Sequence, residues 1–149
     1  MTVRSWAVAQ VFEVSDEAAE VLVTPLRQAL RAQQAGPAGG LLEDHDVKAG
    51  AEVRARIGEA LAVLVVVTAG DRRRARQHGQ RVLRAVFQAA AADPRGPLTQ
   101  VPAAERTDAA ERLYETAAVR LTVKETLPGV ARQLLGEHLG VDLIRAGIL

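Results

Sequence analysis

The chain has 149 residues, of which 48% are hydrophobic and 25% charged, and its formal net charge is +1. These proportions exclude a collagen-like or wholly disordered chain and suit one domain, or one domain with an appended arm. Cysteine is absent, so disulfides, thiolate metal sites and cysteine nucleophiles are excluded, and any electrostatic function must come from local clustering of charge.

Aromatic residues make up only 3%, so the core has to be built from Val, Leu and Ala. The first residues, Met1-Thr2-Val3-Arg4-Ser5-Trp6, show no basic stretch followed by a long apolar one. The longest apolar run, Ala60 to Val67, is far short of the roughly 20 residues of a membrane helix. The expectation is a soluble cytoplasmic protein. Lys48 and Lys124 are the only lysines, and Asn is absent. That bias suits a GC-rich bacterial genome.

Residues 2–14 read as a strand on their β-branched and aromatic content, with Trp6, Val8, Phe12 and Val14 on one face and Gln10 as an exception. A helical stripe through Val3, Trp6, Ala7, Gln10, Val11 and Val14 is the other reading. Ser15-Asp16-Glu17 signals a helix start. The helix should run to about Gln34, kinked or divided at Pro25. Gly36-Pro37-Ala38-Gly39-Gly40 is the clearest loop. From Val47 to Arg56, apolar and polar residues alternate, which predicts a half-buried strand.

Residues 60–68 are continuous and β-branched, which predicts a central strand apolar on both faces. It should lie antiparallel to part of 47–56. Asp71 should cap a helix over 72–91, ended by Asp93-Pro94-Arg95-Gly96-Pro97. A short strand over 98–102, a helical stretch or loop from an Asp108 cap to Thr116, and a strand over 118–124 follow. Thr126 should cap a last helix over 127–139, closed by Gly140, with an apolar tail beyond. Val21-Leu22-Val23-Thr24 faintly echoes Val65-Val66-Val67-Thr68. A real repeat there would make 21–24 a strand and the fold a wound α/β.

The order β-α-β-β-α-(β)-β-α predicts an α+β fold: a mainly antiparallel sheet with helices on one face, of the ferredoxin-like sandwich type. Residues 1–140 would form a single domain. The tail, 141–149, would dock on that core or on a neighbouring subunit.

The strongest local signal is Asp71-Arg72-Arg73-Arg74-Ala75-Arg76-Gln77-His78-Gly79-Gln80-Arg81-Val82-Leu83-Arg84. On a helix, Ala75, Val82, Leu83, Val86 and Ala90 make the buried stripe, with Gly79 allowing close approach to the sheet. Arg73, Arg74, Gln77, Arg81, Arg84 and Gln88 share the solvent face. This cationic ridge suits phosphates or an acidic protein surface, without aromatic neighbours for stacking bases. Asp44-His45-Asp46 offers metal-binding or general-base chemistry, but alternation on a strand sends adjacent side chains to opposite faces. The Thr68–Arg72 junction lacks a phosphate-loop pattern, and Asp71 would repel a phosphate. Ser5 and Ser15 are the only serines, so a serine triad has little support.

No catalytic, metal or cofactor site emerges. The leading expectation is a non-enzymatic assembly or scaffold subunit. It would oligomerise through a sheet edge or through the tail residues Val141, Leu143, Ile144, Ile148 and Leu149. The alternatives are a module binding nucleic acid or an acidic partner through helix 72–91, and a small-ligand enzyme. No membrane partner is expected.

Overall fold

The computed structural model describes residues 3–36 and 42–126. Chain order is β1 (Arg4–Phe12), α1 (Asp16–Ala35), β2 (Leu42–Ala49), α2 (Ala51–Ile57), β3 (Leu61–Ala69), α3 (Arg72–Ala92), α4 (Arg106–Ala117) and β4 (Ala118–Thr126). The four strands form one sheet in the order β2-β3-β1-β4, with every neighbouring pair antiparallel. Two β-α-β halves, β1-α1-β2 and β3-α3-β4, interleave so that β1 and β3 lie in the centre. This is the ferredoxin-like α+β sandwich, with α2 and α4 as additions to it.

Alternation sorts the central strands into two faces. Trp6, Val8 and Phe12 of β1 join Leu61, Val63, Val65 and Val67 of β3 beneath α1, α3 and α4. Phe12 stacks on Phe87 at 4.4 Å between ring centroids, and Tyr114 of α4 is tilted against both rings. The Trp6 indole N–H donates to the carbonyl of Ala69 at 3.1 Å. Gly79 brings α3 down on β1: a Cβ there would lie 2.6 Å from the Val8 methyls.

Several local expectations are corrected. The second strand is Leu42–Ala49, not 47–56. Gly50, with φ of 119°, turns the chain, and Val53 and Ile57, one helical turn apart in α2, cover Val11 and Ala62 on the sheet's second face. The alternation of 51–56 is therefore read out at helical spacing. Only Val47, Lys48 and Ala49 of the predicted partner strand pair with β3. Helix α1 runs unbroken through Pro25, which is buried in the core between Leu22 and Leu26, and residues 21–24 are helical.

Residues 98–102 form turns rather than a strand, held by Arg106, which donates to the carbonyls of Leu98 and Val101. Asp108 lies inside the first turn of α4 and is not its cap. The expected helix over 127–139, the tail 141–149 and its contact residues Val141, Leu143, Ile144, Ile148 and Leu149 lie outside the described residues. Among the described residues no helix is long and apolar enough to cross a membrane.

Candidate functional site

The arginine-rich segment is helical as the sequence predicts. Asp71 caps α3 by accepting the Arg74 backbone N–H at 2.8 Å. Ala75, Gly79, Leu83, Val86, Phe87, Ala90 and Ala91 point into the core, and Val82 is half-buried against it. Arg73, Arg74, Gln77, Arg81 and Arg84 are all exposed, and so is Arg76 on the flank of the same helix.

The five basic side chains of this face do not share one fate. The Arg84 guanidinium donates to Glu111 at 3.1 Å and Glu115 at 3.3 Å, and lies 5.4 Å above the Tyr114 ring. It fastens α4 to α3 and is not free for a partner. Arg74 approaches its own cap, Asp71, at 4.0 Å. Arg73, Arg76 and Arg81 make no ion pair among the described residues. Arg72 is spent internally, donating to the carbonyl of Val123 at 2.9 Å.

The ridge is therefore narrower than its sequence suggests at Arg84 and wider at Arg76. The signal for the Arg84 pairing was present: Glu111 and Glu115, four apart, share one face of α4. Beside the ridge, a cavity of about 190 Å³ is lined by Gln33, Leu42, Val67, His78, Arg81 and Val82, among others. Nδ1 of His78 is buried and has no hydrogen-bond partner among the described residues.

The other candidate constellations disperse. Asp44 and Asp46 pair with Val66 and Leu64 and face away from α1, whereas His45 turns to α1 and meets Gln34 Oε1 at 3.1 Å. Burial holds the His45 imidazole below its ordinary pKa, against the upward pull of Asp44 and Asp46. Burial likewise pushes the Asp46 carboxyl up. Oδ1 of each aspartate accepts the next residue's backbone N–H, at 2.9 Å and 2.7 Å. Among the described residues no three His, Asp or Glu side chains are grouped to hold a metal ion.

Both serines have local partners. Ser15 accepts from Ala18 N and caps α1. The Ser5 hydroxyl donates to Glu43, which also accepts from Thr68 at 2.6 Å. Sequence reasoning missed this Ser5–Glu43–Thr68 group. Glu43 is displaced by a bulge in β2, which frees its carboxylate to reach across β3 to β1.

No family model, curated protein or solved structure matches the chain.

Proposed function

We propose that the protein is a non-enzymatic interaction subunit that engages an anionic partner, a nucleic acid or an acidic protein surface, through the exposed face of α3. The observation carrying this reading is the trio Arg73, Arg76 and Arg81, exposed on one rigid helix and without ion pairs among the described residues. Arg73 and Arg76, three apart, repel by about 0.2–0.5 kcal/mol, and Arg73 and Arg74 also oppose the helix dipole. A bound anion offsets both costs.

Trp6, Phe12, Phe87 and Tyr114 are all buried, so the surface carries no aromatic platform for single-stranded bases. The partner is recognised by charge. Gln77, between Arg73 and Arg81, adds a neutral hydrogen-bonding group to the same face.

The test is salt elution from heparin, a generic polyanion. The wild-type protein should elute at clearly higher salt than a variant with Arg73, Arg76 and Arg81 all replaced by Gln. On duplex DNA the log–log salt slope should fall by about 0.9 for each phosphate that the variant no longer neutralises. Equal elution of the two proteins would remove the basis of the reading.

A second reading, self-assembly through a sheet edge or the apolar tail, is supported by β4. It is an edge strand, and it exposes Val119 at 48%. Against edge pairing stand the bulges in the β4 and β2 ladders and the charged residues Arg120, Lys124 and Asp46. Light scattering on wild type and Val119→Asp decides it: an oligomer that the substitution dissociates would favour assembly through this edge.

A further inference from the structure

We propose that the second face of the sheet is the docking surface for this chain's own residues 127–149. Below the helices the sheet has a second apolar surface. Ala7 and Ala9 of β1 and Leu64 and Val66 of β3 point away from α1, α3 and α4, yet each is no more than 3% exposed. Among the described residues only α2 lies on that side. Its apolar residues Val53 and Ile57 meet Val11 and Ala62, at the far end of the two central strands. A seven-residue helix at one end does not bury the middle of a four-stranded sheet.

Chain geometry places the C-terminal segment next to the gap. Strand β4 ends at Thr126, which pairs with Ser5 at the end of β1 opposite to α2. The 23 residues that follow span about 35 Å even if wholly helical, at about 1.5 Å per residue. That exceeds the roughly 30 Å of a nine-residue strand. The segment holds Leu127, Val130, Leu134, Leu135, Leu139 and Val141 with four further Leu or Ile residues. Those side chains need cover as much as the sheet face does. The rim fits as well. Asp44 and Asp46 border the face on β2, Arg120 and Lys124 border it on β4, and the segment carries both signs in Arg132, Glu137, Asp142 and Arg145. The surface lies on the opposite side of the sheet from α3, so it stands independently of anion binding.

The absence of cysteine permits a clean test on the full chain. Thr122→Cys, whose position pairs with Ala9, carries a benzophenone maleimide at the rim of the face. It is irradiated as an equal mixture of ¹⁴N- and ¹⁵N-labelled protein. Cross-links should fall in residues 127–149 and join peptides of the same isotope. In Ala9→Cys, the thiol should react with Ellman's reagent at least about tenfold more slowly than in denaturant. Adding Leu134→Asp and Leu135→Asp should remove most of that protection while far-UV circular dichroism stays that of a folded protein. Mixed-isotope cross-links would assign the face to a second copy and overturn the proposal. Cross-links confined to other peptides, or protection indifferent to the two aspartates, would overturn it equally.

Discussion

Gly79 shows how a single missing side chain sets the distance between two layers. With the Val8 methyls 2.6 Å from where a Cβ would be, Gly79→Ala forces α3 away from β1 or Val8 out of its rotamer. Overpacking of this kind costs about 1–3 kcal/mol. The thermal midpoint should fall, and Val8→Ala should restore part of the loss in the double variant. Gln10, the polar exception among apolar neighbours, is explained by the bulge where β1 meets β4. Its Nε2 donates to the carbonyls of Val11 and Arg120 at 3.1 and 2.7 Å, which would otherwise be left short of partners at the irregularity. His45 sets a pH dependence. Its folded pKa lies below the ordinary 6.5, first because of burial, so the unfolded chain takes up the proton before the folded one. Stability therefore falls as pH drops through 6.5, and in His45→Gln the fall should be shallower. Parallel melting curves for the two proteins across this range would contradict that assignment. Asp46, raised by burial, acts in the opposite sense at lower pH, since its folded form holds the proton longer.

Arginines of one helix can look equivalent in sequence and differ in use. Helix α3 spends Arg84 on α4 and Arg72 on β4, and leaves Arg73, Arg76 and Arg81 to solvent. The Arg84 pairs are exposed, with side chains at 45% and 52% for Arg84 and Glu111, so Arg84→Gln should cost no more than about 1 kcal/mol. It should leave heparin elution almost unchanged, unlike the Arg73, Arg76 and Arg81 substitutions. A large drop in elution salt for Arg84→Gln alone would show that the pairing with α4 gives way to a partner. Helix α2 makes a related point. Val53, Ala55 and Ile57 satisfy a strand's alternation and nearly satisfy a helix's spacing, and periodicity over seven residues does not separate the two. Gly50 and Gly58, both at positive φ, delimit the helix. In the sequence they resemble ordinary loop glycines.

The sheet is the unit on which the whole molecule depends. Val66 is 1% exposed in the central strand β3, flanked by β2 and β1. Val66→Asp would bury a carboxylate with no partner, a cost that a domain of this size does not absorb. The expected outcome is loss of a cooperative thermal transition; a folded, cooperative V66D would mean that this face opens to water.

Much of this architecture was decided locally. The unbroken run Ala60–Val67, short and rich in β-branched residues, reads as a strand covered on both faces rather than as a buried helix. Ser15 and Asp71 fix the starts of α1 and α3 through their own side chains, and the wide apolar stripe of α3 fixes which of its faces is wet. Antiparallel pairing and the helical face of the sandwich followed from the order of those elements. The boundary between β2 and α2 was settled only by tertiary contact: Val53 and Ile57 gain burial against Val11 and Ala62 as a helix. The same holds for Pro25, which lies buried mid-helix between Leu22 and Leu26, and for the turns over 98–102, tied down by Arg106. The extent of the cationic face was likewise a tertiary matter. Whether an arginine is free depends on where carboxylates from another element come to rest, and Glu111 and Glu115 reach Arg84 only because α4 packs beside α3 over Phe87 and Tyr114.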